Sequence, residues 1–192
     1  MSEITATTKS DSGSAPPAPM NFKVAHSVDN FNIPLQDLME SHEHVTDIAV
    51  GACVFDSDGR VLLVQRAAKD SLPFLWEVPG GGCEFEDETV LHSVARELGE
   101  ESGLCAQRIG DELGVLDLFT TRTPGRLVRK YTFIVEVEGY DVRLNPAEHK
   151  AYLWVSEDEA RAKRCGNVEI VYTSKGQEEV ILKAFEKRKA QA

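Results

Sequence analysis

Residues Gly80 to Leu104 read GGGCEFEDETVLHSVARELGEESGL, and the rest of the chain is organised around them. Three glycines follow Pro79, an acidic turn comes next, and the segment ends in a helical pattern carrying Glu97, Glu100 and Glu101. On a helix, Glu97 and Glu101 lie one turn apart on the same side, with Glu100 close to both. Like charges at this spacing repel by roughly 0.2–0.5 kcal/mol per pair even when solvated. Arg96, four before Glu100, is the nearest built-in cation, and one guanidinium does not neutralise three carboxylates. A hard divalent cation with oxygen ligands would.

The helix is well specified. Glu86, Asp87 and Glu88 put negative charge where the macrodipole favours it, and Gly103 follows Ser102 where a left-handed cap is expected. At 100° per residue, Val90, Leu91, Val94, Ala95 and Leu98 share one apolar arc that can pack on a core. The three glutamates fall on its flank, at the border with solvent. Acidic helices are usually no more than solvated faces, and glycine-rich turns are common loop punctuation. Together they say more. Glycines let a backbone approach a ligand closely, and a helix that follows them can present free N–H groups to phosphate. Carboxylates beside phosphate-sized space suggest metal-assisted chemistry on a phosphate ester or anhydride.

Gly82, Glu88 and then Arg96-Glu97-Leu98-Gly99-Glu100-Glu101-Ser102-Gly103-Leu104 resemble the Nudix box, GX5EX7REUXEEXGU with U aliphatic, at every fixed position. The resemblance implies the α/β class, a Nudix-type α/β/α sandwich with a mixed central β-sheet. It implies hydrolysis of a nucleoside diphosphate linked to another group, with Mg2+ or Mn2+ as cofactor. By that analogy Glu97, Glu100 and Glu101 are metal ligands, Arg96 holds the carboxylates in place, and Glu88 supports the metal shell or its waters. Gly99 occupies the free position of the box, at about 1 kcal/mol relative to alanine. The loop also aligns from Gly81, which leaves Gly81 and Gly82 interchangeable as the close-approach glycine.

Net charge is −11 and the pI is near 4.9, which argues against non-specific binding to nucleic acid or anionic membrane. The expected partner is a small-molecule nucleotide, drawn in by metal and a few basic side chains; the oligomeric state is not legible. No run of about 18 apolar residues exists to cross a membrane. Cys53, Cys83, Cys105 and Cys165 lack metal-finger or CxxC spacing. Without a secretory segment they read as reduced thiols in a cytoplasmic protein, with the nucleus open.

Residues 1–20 are rich in Ser, Thr, Ala and Pro and read as a disordered tail. Residues 21–44 read as an ordered extension, with Phe22, Phe31 and Ile33 packing on the domain edge and a short helix from Pro34 through Glu40. His42 and His44 read as solvated loop histidines. The domain itself is expected over 45–192. Ile48–Phe55 and Arg60–Arg66, joined by the turn Asp56-Ser57-Asp58-Gly59, read as a hairpin. Leu75–Pro79 resembles the short Nudix strand that enters the glycine turn, with Trp76 read as core. Leu113–Thr121 and Leu127–Glu138 read as strands. Between them, Arg122 and Arg126 are candidate phosphate contacts, as are Arg129 and Lys130 just beyond, with solubilising surface charge as the competing reading.

Glu148-His149-Lys150-Ala151-Tyr152-Leu153-Trp154-Val155 also resembles a Nudix segment. In that family a glutamate outside the box can act as a further metal ligand or general base, and Glu148 is the candidate here; the alternative is a glutamate that orients loop backbone. Ser156-Glu157-Asp158-Glu159 is a capping box starting a helix to about Arg164. Val168–Tyr172 is a candidate short strand. A C-terminal helix after Ser174 docks Val180, Ile181, Ala184 and Phe185. The rival function is a catalytically silent Nudix domain used as a nucleotide sensor or interaction module, against which the intact box argues. Nothing in the sequence selects among damaged nucleoside triphosphates, ADP-ribose, dinucleoside polyphosphates, coenzyme A and dinucleotide cofactors.

Overall fold

Strand β2, Asp47–Val54, is buried along almost its whole length and forms the axis of the computed structural model, which describes residues 21–119 and 125–191. Its even-numbered residues Ile48, Val50, Ala52 and Val54 join one apolar cluster, and Cys53 joins another on the opposite face. A strand covered on both sides has no use for polar residues, which explains the small, apolar sequence. One edge of β2 pairs in parallel with β6, Leu127–Val137. β6 pairs antiparallel with β5, Ala106–Phe119, and β5 takes β1, Lys23–Val24, in parallel. The result is a mixed four-stranded sheet in the order β1-β5-β6-β2.

The other edge of β2 carries the glycine turn. Val50 and Ala52 donate backbone hydrogen bonds to the carbonyls of Gly81 and Pro79 at 2.8 Å, and Cys83 donates to that of Ile48 at 2.9 Å. This is why the expected hairpin does not form. With both edges taken, β2 cannot pair with β3, Val61–Arg66, beyond a single bridge between Phe55 and Val61. The turn itself stands: the Asp56 carboxylate accepts from the backbone of Asp58 and Arg60, and Gly59 takes φ 77°. β3 instead centres an antiparallel sheet between β4, Trp76–Glu77, and β7, His149–Val155.

Helix α2, Val90–Ser102, covers one face. Its buried Val90, Leu91, Val94 and Leu98 pack with Ile48, Val50 and Phe133, and each such side chain contributes about 1.5–3 kcal/mol. Helix α4, Lys175–Gln191, covers the other face with Val180, Ile181, Ala184 and Phe185 against Cys53, Val61 and Leu63. Gln177 donates its backbone N–H to the Ser174 hydroxyl at 3.0 Å, as the cap pattern requires. The lead-in forms a 3-10 turn, His26–Phe31, and helix α1, Leu35–Glu40; Phe31 stacks edge-on against Tyr131 and Phe133.

Helix α3, Glu157–Ala162, starts at Ser156 with both capping-box bonds made. It stops short of Arg164 because Lys163 turns left-handed, and β8, Arg164–Cys165, then pairs with β9, Val168–Glu169. β5 begins seven residues before the expected strand start at Leu113. His42 is a correction: its ring meets the Tyr131 hydroxyl at 3.0 Å, whereas His44 is exposed. All four cysteines are unpaired, and no described helix is long and apolar enough to cross a membrane.

Candidate active site

The glycine turn meets β2 at a distance only glycine allows, and the Glu97 carboxyl of α2 packs close against it. A Cβ on Gly80 would sit 2.2 Å from the Val50 carbonyl oxygen, and one on Gly81 would sit 2.6–2.8 Å from the Glu97 carboxyl atoms. Gly82 has open space around it, and its carbonyl accepts from Arg96 at 2.9 Å. Of Gly81 and Gly82, it is Gly81 that approaches Glu97 closely. Gly80 donates its N–H to Glu101 Oε2 at 2.6 Å. Two buried carboxylates, Glu97 and Glu101, thus pack directly on the turn. At the far end of α2, Gly103 takes φ 70° and closes the helix through Gly99.

Arg96 organises the solvent side. It donates to Glu97 at 2.8 Å, to Glu100 at 3.1 Å and, through Nε and Nη2, to Asp87 at 3.0 Å each. Ser93 also donates to Asp87, at 2.6 Å, so Asp87 anchors the clamp. On the other side, Glu101 Oε1 lies 3.9 Å from Nδ1 of His149, and Arg66 binds both Glu77 and Asp70. Glu101, Glu148 and His149 bring donor atoms within 4.8 Å of one another.

Burial and crowding set the charges. Burial pushes the Glu101 carboxyl up to about 7, helped by Glu77 and Glu97 and opposed by His149 and the Gly80 N–H. Glu97 is also raised by burial, with Arg96 pulling it back and Glu100 and Glu148 adding to the rise. Burial acts upward on Glu77 too, yet His149, Lys130 and Arg66 together hold it below the usual carboxylate range. Beside the turn opens a cleft of about 470 Å³, lined by Gly80, Gly81, Gly82, Glu77, Arg66 and Lys130 among others. That volume suits a small-molecule ligand.

The sequence model of the NUDIX domain matches residues 45–172, two thirds of the chain. The chain belongs to the Nudix family. It is 33% identical over 113 residues to the CTP pyrophosphohydrolase of Escherichia coli, covering 59% of this chain and 78% of that protein. It is also 33% identical over 131 residues to the human m7GpppN-mRNA hydrolase NUDT17, covering 60% of this chain but only 40% of that protein. The crystal structure of the MutT protein from Methanosarcina mazei superposes with a TM-score of 0.59 at 26% identity, over 74% of this chain and 94% of that one. This Nudix hydrolase is therefore an enzyme of the pyrophosphohydrolase type, from a family that acts on nucleoside diphosphate derivatives and generally uses a divalent metal.

In the Nudix helix, Glu97 and Glu101 are buried against the turn, whereas Glu100 is exposed and bound to Arg96. Glu148, 47 residues beyond Glu101 in sequence, is brought to the same place. Glu88 is not: its side chain is 82% exposed and lies 3.5 Å from His92. Asp87, one residue earlier, is bound to Arg96. Arg126 lines the cleft with its guanidinium bound to Asp47 at 2.5 and 2.6 Å. Arg129 pairs with Asp117 at 2.7 Å. Arg122 lies outside the described residues. Sequence reasoning missed Asp87 as Arg96's anchor, and it missed Glu77 and His149. A guanidinium has five donors to satisfy, which was the available signal for Asp87; Glu77 and His149 give no local signal.

Proposed function

We propose that this Nudix hydrolase cleaves the pyrophosphate linkage of a nucleoside diphosphate joined to another group, with Mg2+ or Mn2+ held by Glu97, Glu100, Glu101 and Glu148. One observation carries the proposal: two carboxylates are buried against the glycine turn that lines a nucleotide-sized cleft, without enough cationic side chains to neutralise them. The donor set is all oxygen on α2, which suits a hard divalent ion. A bound ion would neutralise charge on the pyrophosphate oxygens and acidify the attacking water.

The chain's own groups supply the positioning. Arg96 fixes the rotamers of Glu97 and Glu100 while Asp87 fixes Arg96, so the carboxylates need little reorganisation on binding. The Gly80 N–H holds one oxygen of Glu101 and leaves the other facing His149. Lys130 and Arg66 give the cleft positive charge that favours an anionic substrate. Water attacks one phosphorus, the bond from that phosphorus to the bridging oxygen breaks, and a nucleotide and a phosphorylated remainder leave. Glu100 and Glu148 are exposed, while buried Glu97 and Glu101 anchor the set.

The test is product release from a panel of nucleoside diphosphate derivatives with Mg2+, with Mn2+ and with EDTA. CTP and a capped dinucleotide belong on it, after the two relatives, beside ADP-ribose and a dinucleoside polyphosphate. Turnover with metal and none with EDTA is expected. Ligand binding without turnover under every condition would instead make the domain a silent sensor.

A further inference from the structure

His149 pulls the carboxyls of Glu77 and Glu101 downward from a buried position beside them. It opens β7 opposite Arg66, where the β3–β7 register shifts between Gln65 and Arg66. An irregularity of this kind re-aims a side chain, and here the ring is 2% exposed beside Glu101. The ring lies close enough to Glu77 to pull that carboxyl down, yet neither of its buried nitrogens makes a well-formed hydrogen bond. A buried polar atom left unpaired costs about 1–3 kcal/mol, so such groups are rare unless a ligand completes them.

The distance indicates which ligand. Nδ1 and Glu101 Oε1 are 3.9 Å apart, beyond the ~2.7–3.2 Å of a hydrogen bond. Two donors that share one cation, each at roughly 2.0–2.3 Å, sit about 3–4 Å from each other. One ligand atom from each of Glu101, Glu148 and His149 lies within 4.8 Å of the other two. Glu77, the other carboxylate beside the ring, is already bound by Arg66.

We propose that His149 is a nitrogen ligand that closes, with Glu101 and Glu148, a mixed nitrogen–oxygen cation site favouring Mn2+ over Mg2+. Imidazole suits borderline ions and adds little for Mg2+, which prefers oxygen and water. The box glutamates alone would make an oxygen site with no such preference. This inference rests on the reading of Glu101 and Glu148 as metal ligands.

Pulsed electron paramagnetic resonance of the Mn2+-loaded full chain tests it, because a directly bound imidazole imprints nitrogen modulation on the electron spin echo. Wild type should show that modulation, and labelling histidine with 15N should change its frequency. His149→Asn should abolish it and lower the ratio of Mn2+ to Mg2+ affinity by about tenfold or more. Tight Mn2+ binding with oxygen-only coordination in wild type overturns the inference, leaves the carboxylate site standing, and makes His149 an ion-pair partner of Glu101. Modulation that persists in His149→Asn also overturns it. Failure of wild type to bind Mn2+ at all removes the carboxylate reading and the inference together. The wild-type spectrum decides the matter even where His149→Asn folds poorly.

Discussion

The flank of α2 and the pair β5–β6 are both densely charged, yet they treat charge in opposite ways. Around β5 and β6 the described arginines have carboxylate partners: Arg108 with Glu136, Arg126 with Asp47 and Arg129 with Asp117. These exposed pairs cancel locally and are worth about 0–1 kcal/mol each. On the flank of α2, Arg96 alone serves Asp87, Glu97 and Glu100, while Glu101 is buried with no lysine or arginine against it. An arrangement that raises a carboxyl to about 7 costs the folded state stability. The difference teaches where to look for chemistry: at charge that the fold leaves uncompensated, not at charge that is merely abundant.

The largest effect expected is from Glu101→Gln. Turnover should fall by about 10³-fold, roughly 4 kcal/mol of transition-state stabilisation. Without metal the same change should stabilise the protein. Folded Glu101 keeps its proton up to about pH 7, whereas the unfolded chain releases it near 4.5. Wild-type stability in EDTA therefore falls as pH rises from about 4.5 to 7, by on the order of 3 kcal/mol, and stays low above. Melts in EDTA should show the variant without that fall. A variant that melts in parallel with wild type across this range would mean that the carboxylate is not under strain.

Next comes Gly81→Ala, whose Cβ would enter the space of the Glu97 carboxyl. A loss of about 10²-fold in kcat is expected with the fold retained by circular dichroism, since a small misplacement of a reacting group has that effect. Gly82→Ala, with open space, should stay within a few-fold. Equal losses for both would erase the distinction between them. On the paired side, Arg126→Ala should change stability by less than about 1 kcal/mol and kcat/KM by less than about tenfold. A loss of 100-fold there would show that pairing with Asp47 does not silence the cation. The smallest effect is Gly99→Ala, a helical position with room for the methyl, which should raise the urea midpoint by an amount worth about 0.5–1 kcal/mol.

What could be read in the sequence was what neighbours in sequence decide. The apolar arc of α2, its glycine cap, the Ser156 capping box and the alternation of β6 each depend on residues within a turn or two. The split of β2 from β3 was hidden because a tight acidic turn looks the same whether its flanking strands pair or part. Its cause lies far along the chain in the glycine turn, where Pro79 and Gly81 take the free edge of β2 at Ala52 and Val50. The anchoring of Arg96 by Asp87 was hidden for a similar reason. Asp87 and Glu88 are acidic and adjacent, and only the path of the loop decides which one meets Arg96. Glu148 was legible through resemblance to a family segment, whereas His149, flanked by Glu148 and Lys150, gave no sign of burial.

The most direct test of the central claim is a thermal melt at pH 7.5 of wild type and the double variant Glu97→Gln/Glu101→Gln, each with saturating Mg2+ or Mn2+ and with EDTA. At about 100 times the dissociation constant, an ion bound only by the folded state adds roughly 2.7 kcal/mol, or about 5–10 °C in Tm. Wild type should show that rise and the double variant should show none. A wild-type Tm indifferent to metal, or an equal rise in both proteins, would contradict the assignment of these carboxylates as the cation site.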